Sequence, residues 1–257
     1  MLISTACFLS LSASLATAQL SGELDPAVQR EIDYANKLNA SRLVRVYAIA
    51  SPRVKQYLQA EIDLVAGFVK PGDRILELGC GYGRVLEPLA RNAGQGWGVD
   101  NAPESLWLSH QRDPEGILAA MDVGALALKA HSFDLVIGVQ NFISACKVSP
   151  NLLLQECLRV VRHGGRILLS SYAPEFWVHR LAWFRHQAQE ALLGPIAEEA
   201  TGNGVIVCQD GFTSTTFGAQ AFEKLSKDCN VTAQVYLVDD SSVFCEIQVS
   251  DSQAPGR

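Results

Sequence analysis

The sequence predicts an α/β fold: a mostly parallel sheet with helices on both faces, closed by a C-terminal antiparallel hairpin. Three observations predict it. Apolar runs alternate with stretches of helical periodicity from about residue 70 to 175, as in successive strand–helix–strand units. The first run, Arg74-Ile75-Leu76-Glu77-Leu78, stops at a glycine turn, Gly79-Cys80-Gly81-Tyr82-Gly83, after which apolar residues resume at helical spacing. Residues 231–238 and 242–249 are joined by Asp239-Asp240-Ser241 in the pattern of a hairpin. With 257 residues and 48% hydrophobic content, the chain can bury one full core of this kind, and a second large domain is not expected.

Taken in order, residues 25–69 read as helical. Asp25 is a plausible N-cap with Pro26 at the first helical position. A second helix is predicted to open after Ser51-Pro52, where Val54, Leu58, Ile62, Val65 and Ala66 recur at three- and four-residue steps. Residues 69–73 then turn into the first strand. A strand, a tight glycine turn and a helix make a nucleotide-type site, because glycines admit a ligand close to the backbone and a helix N-terminus offers free amide donors. The details exclude two versions of it. A dinucleotide turn has G-x-G-x-x-G, and here Arg84 occupies the third position; no Lys-Ser/Thr pair follows, so the turn is not a P-loop. Glu77, at the carboxyl end of the strand, suits a cationic ligand group better than a pyrophosphate.

The E-x-G-x-G-x-G pattern of Glu77, Gly79, Gly81 and Gly83 resembles motif I of class I S-adenosylmethionine-dependent methyltransferases. The resemblance covers roughly residues 70–175. It implies a Rossmann-like, seven-stranded, mostly parallel sheet, S-adenosylmethionine as cofactor, and a division into a helical lid (residues 21–70) and a methyltransferase domain (residues 71–257). It also implies cofactor contacts at Glu77, Gly79, Cys80 and Gly81, and it makes Tyr47 and Arg53 of the lid candidates for lining the pocket.

The second strand, residues 96–99, ends in Asp100, about 20 positions beyond the glycine turn, where an acid can accept both ribose hydroxyls. Asn101 is expected to cap the next helix, with Glu104 three residues on, and is carried as a further cofactor contact. Residues 116–121 form a third short strand. The resemblance gives Asp122 the exocyclic amine of adenine and makes Met121 and Val123 its apolar wall. The fourth strand, residues 132–141, contains Phe133-Asp134-Leu135-Val136-Ile137, which is similar to the family's fourth-strand motif. Gln140, Asn141 and Phe142 then stand beside the sulfonium, with Gln140 also a cofactor contact. Residues 152–161 form an amphipathic helix, 162–165 a turn and 166–172 a fifth strand; His163 departs from the proline often found in the family's turn. Tyr172 joins Gln140 and Asn141 as a candidate for positioning substrate rather than for proton transfer. Beyond it the resemblance thins to an aromatic-rich helix over 176–184, an inserted hairpin near 205–216, a helix around 222–225 and the closing hairpin.

The implied activity is methyl transfer to a small-molecule acceptor by in-line displacement at the sulfonium, with no catalytic triad required. A net charge of −6 disfavours a nucleic-acid surface, and Gln140-Asn141-Phe142-Ile143 is not the N/D-P-P-Y/F tetrad of methyltransferases acting on DNA amines. Two rival readings stay open: a non-catalytic protein that binds the cofactor or S-adenosylhomocysteine, and an NAD(P)-dependent oxidoreductase. The seven cysteines lie mostly in apolar runs and read as small buried hydrophobes, and the five histidines show no metal spacing, so no metal is expected. Residues 1–20 are an apolar, serine-rich leader. Ala16-Thr17-Ala18-Gln19 has the A-x-A form of a cleavage site, but no Lys or Arg precedes it and the stretch is too short to span a bilayer. It reads either as a secretory signal peptide or as a disordered leader, and a cytoplasmic location is expected from the cofactor.

Overall fold

The structure, a computed structural model, describes residues 38–250. The leader and the helix opening at Asp25 lie outside the described residues, as does the first part of the lid. Two helices come first, α1 (Ala40–Ala48) and α2 (Pro52–Ala66). Ser51 caps α2 as its spacing predicts, its hydroxyl accepting from Val54 N–H at 3.3 Å ahead of Pro52.

The central sheet contains seven strands: β1 (Arg74–Leu78), β2 (Gln95–Asp100), β3 (Ile117–Ala120), β4 (Phe133–Gly138), β5 (Val161–Tyr172), β8 (Ala233–Val238) and β9 (Ser242–Gln248). Their order is β3-β2-β1-β4-β5-β9-β8, parallel through β5 and antiparallel at β9 and β8. Between β1 and β4 the chain reverses its direction of travel across the sheet, so a crevice opens at the carboxyl ends of those two strands. The connecting helices are α3 (Leu86–Ala90), α4 (Pro103–Arg112), α5 (Phe142–Ala145), α6 (Pro150–Val160), α7 (Trp177–Gln189) and α8 (Ala219–Asp228). A separate two-stranded ribbon, β6 (Ile206–Val207) with β7 (Thr213–Ser214), is the inserted hairpin.

Strand periodicity divides the core between the two faces of the sheet. Leu76, Val136, Ile167, Leu169, Cys245 and Ile247 pack with Leu153, Leu154, Phe222 and Leu225 of α6 and α8. Their neighbours Ile75, Leu135, Ile137, Leu168 and Phe244 turn to the opposite face, against Ile62, Val65, Leu86 and Leu89. A third cluster joins α2 to α7 and the inserted hairpin: Val54, Tyr57 and Leu58 of α2 pack on Phe176, Trp183, Phe184, Ile206 and Phe212. Cys80, Cys157 and Cys245 are buried thiols, in keeping with their apolar settings. No helix among the described residues is long and apolar enough to cross a membrane.

Three local expectations are corrected. The helix expected directly after the glycine turn starts only at Leu86, because Gly79, Gly81 and Gly83 all take positive φ and keep the chain coiled in turns beyond them. Asn101 makes no capping bond: α4 begins at Pro103, and it is Asp100 Oδ1 that accepts from Ala102 N–H at 2.9 Å. Residues 162–165 are not a turn between helix and strand. They belong to β5, which pairs Val161 with Phe133 and then slips register by Leu135, with Gly164 at φ 73° absorbing the bulge.

Candidate active site

A cavity of about 530 Å³ occupies the crevice at the strand ends. All ten residues that the sequence assigns to cofactor contact line it: Glu77, Gly79, Cys80, Gly81, Asp100, Asn101, Met121, Asp122, Val123 and Gln140. The glycine turn is tied to β2 by Gly79 and Cys80 N–H, which donate to Val99 O at 2.8 and 3.0 Å. Gly79 sits at φ 70°, and a Cβ there would stand 2.2 Å from the Phe142 ring. Glycine is therefore needed twice over, for the left-handed backbone and for the close approach of the aromatic floor.

Asp100, at the end of β2, joins the glycine turn to the cavity wall. Its Oδ2 accepts from Gly81 N–H at 2.8 Å and its Oδ1 from Ala102 N–H. Burial raises its pKa, and the amide bonds from Ala102, Gly81 and Asn101 oppose that shift. A carboxylate has about four lone-pair sites, so both oxygens keep capacity for vicinal hydroxyls. Asp122 Oδ1 accepts from Gly124 N–H at 2.8 Å, which fixes the loop after β3.

Glu77 is 4% exposed, and its Oε2 has no hydrogen-bond partner. Burial pushes its carboxyl up to about 8; the Arg84 guanidinium opposes this and the Asp100 charge adds to it. A desolvated carboxyl in the cavity wall, helped by a backbone hydrogen bond at Leu86 but with Oε2 unpartnered, fits a ligand that brings its own positive charge.

Gln140 and Asn141 follow β4 in consecutive left-handed conformations, φ 58° and 66°. That backbone is costly for non-glycine residues and is held from outside. Gln140 N–H is shared between Glu61 Oε2 at 2.7 Å and Ser170 Oγ at 2.9 Å. The Asn141 side chain donates to Thr215 O at 3.0 Å and accepts from Ser171 Oγ at 2.6 Å. Gln140 lines the cavity; Asn141 is spent on the scaffold and does not. Tyr172 also lies outside the lining, 7% exposed, with the Arg180 guanidinium 4.4 Å from its ring centroid. Of the two lid candidates Tyr47 lines the cavity, whereas Arg53 pairs with Asp239 at 2.7 Å and lies over Phe176.

Sequence reading missed two side chains. Arg84 was read only as an obstacle to a dinucleotide turn, yet its guanidinium lines the cavity and bonds Gln140 Oε1. Glu61 is wholly buried, and burial pushes its carboxyl to about 7 against hydrogen bonds from Ser242, Gln140 and Ser170. Its signal was available: an acid on the same helical stripe as Tyr57, Leu58, Ile62 and Val65.

Residues 76–169 match the family model described as a methyltransferase domain. Among curated proteins, the chain is 28% identical over 124 residues to a ubiquinone biosynthesis O-methyltransferase of Cereibacter sphaeroides, covering 46% of this chain and 49% of that one. It is 34% identical over 110 residues to an aklanonic acid methyltransferase of a Streptomyces strain, covering 39% and 48%. The chain thus spans about half the length of the curated relatives it matches. Among solved structures, a Pyrococcus horikoshii protein superposes with a TM-score of 0.62 at 17% identity, covering 82% of this chain and all of that one. The magnesium protoporphyrin IX methyltransferase of Synechocystis does so with a TM-score of 0.57 at 15% identity, covering 89% and 99%. At these identities the two superpositions establish the fold.

Proposed function

We propose that this chain, which carries a class I S-adenosylmethionine-dependent methyltransferase domain over residues 76–169, binds S-adenosylmethionine in the cavity at the ends of β1 and β4 and transfers its methyl group to a small-molecule acceptor. The observation that carries the reading is the pairing of a buried Glu77, its Oε2 unpartnered, with Asp100 across the glycine turn. One acid suits an ammonium and the other a ribose, and a glycine backbone lies between them. Bound there, the cofactor supplies an electrophilic methyl carbon on a sulfonium.

The chain's own contribution is to bind, orient and exclude water. Gly79, Cys80 and Gly81 give the ligand a close backbone wall, and Asp100 takes the ribose hydroxyls. Met121 and Val123 would form the apolar wall beside the adenine, with Asp122 to accept from its amine. Tyr47 and Leu43 of α1 line the cavity, which supports α1 as part of a lid over the site. Gln140 reaches the cavity from a backbone held in one conformation by Glu61 and Ser170, so it positions the acceptor with little loss of freedom. No proton-transfer residue is needed for an acceptor that arrives deprotonated.

The names of the curated relatives, a ubiquinone biosynthesis O-methyltransferase and an aklanonic acid methyltransferase, support a small-molecule acceptor here. The net charge of −6 speaks against nucleic acid, and the cofactor favours a cytoplasmic setting. An oxidoreductase reading is disfavoured by Arg84 in the position where a dinucleotide turn needs a small residue. Incubating the protein with S-adenosylmethionine and panels of phenols, carboxylic acids and amines, with S-adenosylhomocysteine quantified by mass spectrometry, tests the reading. Acceptor-dependent release supports it; tight cofactor binding without release under any acceptor favours the non-catalytic binder.

A further inference from the structure

Arg180 of α7 is fully buried, and none of the ion pairs among the described residues includes it. Its partners are neutral. Nη1 donates to Gly204 O at 2.9 Å, and Nη2 to Ser214 O at 2.9 Å, Ser214 Oγ at 2.8 Å and Thr215 O at 3.4 Å. The guanidinium lies over the Tyr172 ring, which holds its plane. Burying a cation outside any ion pair costs desolvation that packing alone does not require. What this cation does is gather three carbonyls of the insertion onto α7.

One of those carbonyls leads back to the cavity. Thr215 O also accepts from Asn141 Nδ2 at 3.0 Å. Ser171 Oγ donates to Asn141 Oδ1 at 2.6 Å and accepts from Phe217 N–H at 2.7 Å. Both ends of the Asn141 amide are therefore fixed by the stretch whose course Arg180 sets. Asn141 sits at φ 66°, and its carbonyl accepts the first amide bonds of α5, from Ser144 and Ala145. A helix of four residues is a single turn and does not sustain itself, so its placement follows its first residue. Phe142, Ala145 and Cys146 then line the cavity, with the Phe142 ring against Gly79.

The geometry points to Arg180 as a positioning residue of the cavity, acting through Thr215 and Asn141 on the wall that α5 provides. It is not itself in the lining, and it lies with the 204–217 segment beyond the family match at residues 76–169. The consequence for ligand affinity rests on the adenosyl reading above; the mechanical link to α5 does not.

Two readouts on the full chain test it: hydrogen–deuterium exchange of the 139–146 amides without ligand, and calorimetric titration of S-adenosylhomocysteine, corrected to folded protein. The proteins are wild type, Arg180→Met, Arg180→Lys, Asn141→Gly, the Arg180→Met/Asn141→Gly double variant, and Phe222→Ala as a control for lost stability alone. Arg180→Met should speed exchange in 139–146 selectively and weaken S-adenosylhomocysteine about tenfold. Asn141→Gly keeps the left-handed backbone, loses the side-chain bonds and should weaken it similarly. The double variant should be no weaker than the weaker single, because both cut one path. Arg180→Lys keeps the charge but reaches fewer carbonyls, so it shows part of each effect and carries the test should Arg180→Met not fold. An Arg180 variant that behaves as Phe222→Ala does, with unchanged affinity and no selective exchange, overturns the assignment. Additive losses, or an Asn141→Gly protein unchanged in both readouts, overturn it too. Wild type that binds no S-adenosylhomocysteine, while 139–146 still responds to Arg180→Met, overturns the adenosyl reading and leaves the link standing.

Discussion

Glu77 gives the sharpest quantitative test of the site, because its burial has opposite consequences for the free and the liganded protein. The carboxyl is raised from 4.5 to about 8. Between those values the folded free protein holds a proton that the unfolded chain has released, so the folded state binds one more proton. Stability then falls as pH rises, by about 1.4 kcal/mol per unit for this one group. Glu61, raised to about 7, acts with the same sign over an overlapping window, so the part of the slope that Glu77→Gln removes is the part that belongs to Glu77. A ligand bearing an ammonium reverses the balance, since it favours the ionised carboxylate and must displace the proton. Its affinity should rise by up to about tenfold per unit as pH approaches 8 from below, with about one proton released at pH 6.5–7. Titrating S-adenosylhomocysteine in two buffers of different ionisation enthalpy measures that proton directly. Methylthioadenosine, without the ammonium, should show neither the slope nor the release, and Glu77→Gln should abolish both. Identical pH profiles for the two ligands, or a Glu77→Gln protein that still releases a proton, would refute the assignment of Glu77 to the ammonium.

Other perturbations follow from the same geometry. Asp100→Ala removes the acceptor for Gly81 and Ala102 N–H, bonds of a kind worth about 1.5–3 kcal/mol each, and should lower both the melting temperature and nucleoside affinity; unchanged binding by calorimetry would count against the ribose role. Gly79→Ala forces a side chain into positive φ and into the Phe142 ring, and should lose about 1–3 kcal/mol in denaturant unfolding together with cofactor binding. Phe222→Ala, at a fully buried position between α8 and the sheet, should cost about 3–5 kcal/mol without altering affinity per folded molecule. Glu61→Ala frees the Gln140 amide, the Ser170 hydroxyl and the Ser242 hydroxyl at once, and should impair turnover more than S-adenosylhomocysteine binding, read as separate effects on rate and on calorimetric affinity.

The parts of this chain legible in the sequence are those where a local rule and the tertiary structure agree. The strand–glycine–helix order, the acid at the end of β2 and the apolar fourth strand each carry a periodicity or spacing that fixes one conformation, and the residues they assign to the cofactor all line one cavity. What was not legible depends on partners distant in sequence. Tyr172 and Asn141 lie close to the strand ends, but Arg180 of α7 and Thr215 after the inserted hairpin engage them, and the sequence pattern that marks those elements does not say what they touch. Arg53 looked like a pocket arginine because of its place in the lid; Asp239, in the turn of the last hairpin, claims it. Asn101 had the residue type and spacing of a cap, and Asp100 satisfied the neighbouring amide first. Glu61 was hidden because helical periodicity marks which face is buried but not what a buried carboxylate bonds to.

The central claim is that the cavity binds an adenosyl sulfonium nucleoside through Asp100 and Glu77. It is tested most directly by calorimetric titration of S-adenosylhomocysteine and NAD into wild type and Asp100→Ala. The account predicts one equivalent of S-adenosylhomocysteine bound to wild type, loss of at least tenfold in affinity in the variant, and no comparable binding of NAD. Binding of NAD as tight as that of S-adenosylhomocysteine, or S-adenosylhomocysteine affinity unaffected by Asp100→Ala, would contradict it.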